Sequence, residues 1–121
     1  MKKHSGFTLI ELIMVIVLLG LLAVVAIPKY YDLQSDAKAA AEKGVVGGVR
    51  SGIYTYFAKN KAYPAALDPA SVAACSAANA CFTTVVDQGG VRQDWTKASA
   101  TTYTGPNGTT YTYTSASGAF V

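Results

Sequence analysis

Histidine is all but missing from this chain: one residue, His4, stands near the amino terminus. Serine-histidine and cysteine-histidine pairs need an imidazole, so nucleophilic catalysis of that kind has almost nothing to draw on. The glycine loop that cradles phosphate in nucleotide-binding enzymes is also lacking. Charged residues make up only 14% of the chain. The acids beyond the first apolar stretch, Asp32, Asp36, Glu42, Asp68, Asp87 and Asp94, are scattered. No catalytic residue, cofactor site or metal site is nominated, and the composition argues against an enzyme. Cysteine is limited to Cys75 and Cys81. Zinc takes about four ligands, so two thiols leave a disulfide as the better reading wherever the compartment is oxidising. It would close a loop of about seven residues, worth on the order of 2 kcal/mol by loop entropy. No internal repeat or long low-complexity tract is visible.

What the chain does have is grease in one place. Hydrophobic residues make up 51% of its 121 positions, and many fall in the unbroken run over residues 7–27. That run is about 21 residues, and about 20 helical residues span a bilayer core. Met1-Lys2-Lys3-His4-Ser5-Gly6 forms a short basic head before it, and Pro28 follows it. The positive head predicts an amino terminus held in the cytoplasm and a carboxyl side outside, where Cys75 and Cys81 would oxidise. Glu11 is the one charge inside the run. An acid at a membrane-helix centre costs roughly 2.5 to 3.5 kcal/mol, less near the interface, so Glu11 needs a partner.

Gly6-Phe7-Thr8-Leu9-Ile10-Glu11, at the head of an apolar helix after a short basic leader, resembles the type IV pilin and pseudopilin family. The resemblance covers about the first 60 residues; from Ile16 through Ile53 it is most similar to mannose-sensitive haemagglutinin pilins. It implies that a prepilin peptidase cuts between Gly6 and Phe7 and methylates the new Phe7 amine. It implies that Glu11 pairs with the terminal amine of a neighbouring subunit, and that Gly20 and Pro28 loosen the helix. It further implies a homo-oligomeric helical filament, an assembly ATPase and a membrane platform protein as partners. The precursor would sit in the bacterial inner membrane, and the product would be an extracellular filament or a periplasmic pseudopilus. The net charge of +3 would fall to about +1 once Lys2 and Lys3 leave, which gives no electrostatic case for nucleic acid. Removal of the leader also removes His4.

Four segments are expected: a leader over 1–6, a membrane and filament-core helix over 7–27, an amphipathic helical half over 28–61, and a globular head over 62–121. The fold class is α+β, a long kinked amino-terminal helix packed on a small antiparallel sheet. After Pro28, Tyr30, Leu33, Ala37, Ala41, Val45, Val49, Ile53 and Tyr56 recur at helical steps to about Asn60. Gly44, Gly47, Gly48 and Gly52 each cost about 1 kcal/mol against alanine in a helix; the continuing apolar spacing favours close approach of a sheet or a neighbouring subunit there, over a local break or flexible turn. Asp68-Pro69 predicts a short helix ending near Cys75. Strands are expected over 82–86 and 91–95, then a hairpin of 101–104 and 109–115 around Gly105-Pro106-Asn107-Gly108. Tyr111 and Tyr113 should share one face and lie on the upper half of the helix. Asn107-Gly108-Thr109 matches a glycosylation sequon, though turn chemistry explains it equally well.

Two other readings stay open. One is a pseudopilin of a type II secretion system; such proteins typically bind calcium through a carboxyl-terminal acidic loop, yet after Asp87 only Asp94 is acidic. The other is a secreted soluble binding module, with Val24-Val25-Ala26 as a signal-peptidase site releasing the chain from Ile27. Glu11, so early in the apolar region, argues against release.

Overall fold

The computed structural model describes residues 6–121. The basic residues Lys2, Lys3 and His4 of the expected leader lie outside the described residues. A single helix, α1, runs from Leu9–Asn60 with Pro28 inside it. Its helical assignment continues through Pro28 although that ring lacks an N–H donor. The chain divides into two compact units, one ending at Asp36 and the other covering Ala37–Val121.

In the first unit the large apolar side chains of residues 9–27 are all exposed, and α1 is long and apolar enough to cross a membrane. A helical stretch apolar on every side suits burial in lipid or among other apolar helices.

The second unit is built on the last part of α1. Glu42, Val46, Val49 and Ile53 are its buried residues, spaced by four, three and four. That spacing puts them on one stripe of a 3.6-residue helix. Four short strands pack against the stripe in the order β1-β2-β3-β4: β1 Thr96–Lys97, β2 Thr102–Thr104, β3 Thr110–Thr114 and β4 Ala119–Phe120. Every pairing is antiparallel, with Tyr103 opposite Tyr111 and Tyr113 opposite Phe120. The expected hairpin is therefore present. Its turn closes with the Gly108 N–H on the Gly105 carbonyl at 2.9 Å, and Gly108 takes φ 84°, where glycine is favoured. Tyr111 and Tyr113 face the core while Thr110, Thr112 and Thr114 are exposed.

The core between helix and sheet is aromatic. Phe82 lies at its centre, 4.4 Å from the Tyr103 ring and edge-on to Trp95 at 5.4 Å and Phe120 at 5.7 Å. Such edge-to-face and tilted pairs add about 0.5–1.5 kcal/mol beyond area burial. The Arg50 guanidinium donates to the Phe120 carbonyl at 2.9 Å, tying β4 to the helix.

Three expectations are corrected here. No helix follows Asp68-Pro69. The Asp68 carboxylate does accept the Ala70 N–H at 3.0 Å, as a helix cap would. Yet the backbone beyond it is engaged elsewhere: the Cys75 N–H donates to the Trp95 carbonyl and the Lys97 N–H to the Ala73 carbonyl. Those groups cannot also close helical turns. Residues 82–86 form a turn, not a strand, because the Val85 and Val86 N–H groups both donate to the Phe82 carbonyl. Phe82 itself takes φ 61°, a conformation uncommon for an aromatic residue. Residues 91–95 form only a single bridge, Val91 to Cys81, before Asp94 turns at φ 63°.

The glycines divide. Of the four, Gly52 alone is closely approached within the chain, as expected: a Cβ there would strike the Val85 carbonyl oxygen. Gly44, Gly47 and Gly48 have open space where a Cβ would sit. The turn at 82–86 is what brings Val85 onto Gly52, so the unexpected turn accounts for the expected close approach.

Candidate assembly site

Gly6, Phe7 and Thr8 precede the first turn of α1 and are not helical. Phe7 is 88% exposed. The bond between Gly6 and Phe7 thus lies in exposed, non-helical backbone.

Glu11 does not wait for a partner with both oxygens empty. The Thr8 N–H donates to Glu11 Oε2 at 2.8 Å, and the Glu11 N–H donates to Thr8 Oγ1 at 3.3 Å. The Leu12 N–H reaches the Thr8 carbonyl at 3.2 Å. This reciprocal pair is a capping box, with Thr8 as the cap and Glu11 three residues on. It satisfies two of the orphan donors at the start of a helix, and a glutamate in the first turn also suits the positive end of the helix dipole. The signal was in the chain: Thr8-Leu9-Ile10-Glu11 fits the threonine-x-x-glutamate pattern. A carboxylate offers about four acceptor positions, so the bond to Thr8 leaves room for an amine.

Gly6, Phe7 and Glu11 are therefore together at one end of the first unit. Gly20 and Pro28 lie further along α1, and a Cβ on Gly20 would meet nothing within 4 Å. Cys75 and Cys81 are joined in a disulfide with Cα atoms 5.6 Å apart, so the loop they close belongs to the second unit.

That second unit holds two buried polar centres that composition did not reveal. The first is an ion pair, Lys97 Nζ to Asp68 Oδ1 at 2.6 Å. Lys97 also donates to the Ala70 carbonyl at 2.9 Å. Asp68 Oδ2 accepts the Phe82 N–H at 2.7 Å and the Tyr103 hydroxyl at 2.8 Å. Burial, reinforced by the Asp68 carboxylate, drives the Tyr103 hydroxyl far above its ordinary range. A buried charge pair is tolerable only when its remaining hydrogen-bonding capacity is met, and here the backbone at Ala70 and Phe82 and the Tyr103 hydroxyl meet it. The same carboxylate holds the Phe82 N–H, and so fixes the residue with unusual φ at the core centre.

The second centre is Glu42, 3% exposed. Tyr111 donates its hydroxyl to Glu42 Oε1 and Asn107 its N–H to Oε2, both at 2.8 Å. Burial pushes this carboxyl up, but the hydrogen bonds from Tyr111, Asn107 and Thr109 outweigh it and hold the group below the usual carboxylate range. Its bond in turn raises the Tyr111 hydroxyl. Gly105 backs onto the carboxylate so closely that no Cβ would fit. Glu42 thus clamps the hairpin turn to the helix. Its place on the apolar stripe, one turn before Val46, was the only sequence signal.

The described residues thus combine an exposed apolar helix, a capped glutamate beside an accessible Gly-Phe bond, and a separate stapled α+β unit. Residues 1–27 match the prokaryotic N-terminal methylation motif. The chain is 36% identical over 63 residues to the type II secretion system core protein G of Pseudomonas aeruginosa, covering 52% of this chain and 44% of that protein. It is 36% identical over 73 residues to the type IV major pilin protein PilE of Neisseria gonorrhoeae, covering 60% of this chain and 44% of the relative. It is 43% identical over 49 residues to the type IV narrow pilus major component PilA5 of Thermus thermophilus, covering 40% and 42%. The chain spans less than half the length of these curated relatives. No solved structure matches it. Through its amino-terminal region the chain is therefore similar to type IV pilins and to a type II secretion core protein.

Proposed function

We propose that this chain is the structural subunit of a type IV pilus-like filament, with no catalytic role of its own. A prepilin peptidase cuts between Gly6 and Phe7 and methylates the Phe7 amine. Glu11 of an incoming subunit then pairs with the Phe7 amine of one already in place. The observation that carries this reading is the capped Glu11 four residues beyond the exposed Phe7, inside the matched methylation motif. A terminal amine has an unperturbed pKa of about 7.7–8.0 and is largely cationic at neutral pH. Among apolar helices an unpaired charge is costly, so the pair fixes the axial register of each copy. Subunits leave lipid, which is already apolar, so packing and this pair supply specificity rather than a hydrophobic gain. Extraction then needs outside work, which fits an assembly ATPase and a platform protein. Gly20 and Pro28 would serve as loosening points in the packed core. The precursor spans the inner membrane with its amino terminus in the cytoplasm, on the charge of the basic leader.

Replacing Glu11 by alanine tests the pair. Insertion in the membrane should be intact, because an acid is removed from an apolar segment. Polymerisation should be impaired by about 3–5 kcal/mol per subunit, the cost of leaving one buried charge alone. Filament yield equal to the native protein's would refute the pairing.

The likeness to the secretion-system core protein G supports a second reading, a periplasmic pseudopilus subunit. Deleting the protein separates the two. Loss of surface fibres with secretion unchanged favours the pilus; loss of exoprotein secretion with fibres unchanged favours the pseudopilus.

A further inference from the structure

Just past the apolar run, α1 presents two exposed aromatic side chains in succession, Tyr30 and Tyr31. With Ile27 and Gln34 they border one shallow groove. Positions 27, 30, 31 and 34 are steps of three and four, so these side chains share a face. Along it the character changes in order, from an apolar residue through two amphipathic rings to an amide. Lys29 stands beside them, and the first acids after Glu11, Asp32 and Asp36, follow at once.

We infer that Tyr30 and Tyr31 anchor the precursor in the phospholipid headgroup layer on the side of the membrane away from the leader. Their distance from the helix start then sets how deep the Gly6–Phe7 bond and Glu11 lie at the opposite surface. The inference rests on the membrane-anchored reading above and adds to it a lipid-contacting site and a role in positioning the processed end.

Length is the main support. From Leu9 to Tyr30 the helix rises about 32 Å at about 1.5 Å per residue, against a hydrocarbon core of about 30 Å. With Tyr30 at the headgroup level of one leaflet, Leu9 reaches the edge of the other. Glu11 then lies only about 3 Å further in, where an acid is least costly. The chemistry agrees with the length. Tyrosine is enriched at membrane–water interfaces because its ring is apolar and its hydroxyl wet. The ammonium of Lys29 can extend toward lipid phosphate on its flexible stem. The surface is also continuous with the exposed apolar side chains of residues 9–27, so the layer that covers those side chains must end somewhere near it. Sliding the helix by one turn would either drag Tyr hydroxyls and Lys29 into hydrocarbon or strand Ile27 in water.

The test uses the full chain, leader included, in nanodiscs of phosphatidylethanolamine and phosphatidylglycerol doped with a headgroup nitroxide lipid. Backbone amide signals are read by NMR for paramagnetic broadening. In the native chain broadening should peak at residues 29–31 and again near the helix start. In the double variant Tyr30→Ser, Tyr31→Ser the peaks should move along the helix by about one turn or flatten. Tyr30→Trp with Tyr31→Trp should restore them. A native profile peaking elsewhere, a serine variant with the native profile, or a tryptophan variant that behaves like the serine one would each overturn the inference. No peptidase and no second copy is needed, so failure of filament assembly would leave this result standing. A chain that did not enter the bilayer would overturn both this inference and the anchored reading.

Discussion

Four glycines in the carboxyl-terminal part of α1 give a test in which the same substitution should have opposite signs. Replacing helical glycine by alanine gains about 1 kcal/mol from backbone propensity. Gly44, Gly47 and Gly48 have open space for the added methyl, so each alanine variant should be more stable by up to about 1 kcal/mol. At Gly52 the new Cβ would meet the Val85 carbonyl oxygen, its carbonyl carbon, and the Val85 Cβ at 3.0 Å. The obstacle is backbone, held by the turn in which the Val85 and Val86 N–H groups donate to the Phe82 carbonyl. It cannot swing aside as a long side chain would. Forced overpacking of this kind costs typically 1–3 kcal/mol, and the propensity gain offsets only about 1 kcal/mol of it. Gly52→Ala should therefore be destabilised by up to about 2 kcal/mol, and the gap to Gly48→Ala should be about 1–3 kcal/mol. For a unit of this size about 1 kcal/mol shifts the thermal midpoint by about 4–8 °C. Urea unfolding of the full chain in detergent, followed by near-ultraviolet circular dichroism of the buried Trp95, reads the difference. If Gly52→Ala were stabilised to the same extent as Gly48→Ala, the close approach of residue 85 to the helix would be refuted.

Other outcomes follow from the buried polar centres. Lys97→Met leaves the Asp68 carboxylate buried without its cation and should cost about 3–5 kcal/mol; the double variant Asp68→Leu, Lys97→Met should lose less than the two single variants combined. Equal additivity in a double-mutant cycle would contradict a coupled pair. The carboxyl of Glu42 is held below its ordinary value of 4.5, so the unfolded chain binds its proton more tightly than the folded one. Its contribution to stability is thus complete above about pH 4.5 and is lost as pH falls through the lower folded value. Glu42→Gln should flatten this part of the stability–pH curve, and an unchanged acid limb would refute the clamp. Tyr111→Phe should remove one donor from the same carboxylate and cost about 1.5–3 kcal/mol, the range for a hydrogen bond to a charged group.

Much of the fold was legible because it rests on local chemistry. The apolar run, the helix end at Asn60, the turn at residues 105–108 and the tyrosine face of β3 follow from periodicity and turn residues. The Cys75–Cys81 link followed from compartment and count. What escaped was set by distant partners. Asp68 looks like a helix cap locally, and it does hold the Ala70 N–H, but Lys97 and Tyr103 arrive from the sheet to claim it. Phe82-Thr83-Thr84-Val85-Val86 has the composition of a strand, yet the Asp68 carboxylate fixes the Phe82 N–H and the chain turns. Glu42 is one acid among many in the sequence, and only the folded hairpin makes it a buried clamp. The residues of the proposed assembly site, Gly6, Phe7 and Glu11, were nominated from the sequence. The site's geometry was not legible: Thr8 already binds Glu11, a local bond hidden beneath the more conspicuous problem of a charge in an apolar segment.

The central claim is that this chain is cut at Gly6–Phe7 and polymerises through the helix that begins there. Mass spectrometry of the protein in sheared, purified filaments tests it most directly. The account predicts an amino terminus at Phe7 carrying a methyl group, within assembled fibres. A mature chain that begins at Ile27 and is recovered only as a soluble protein would contradict it.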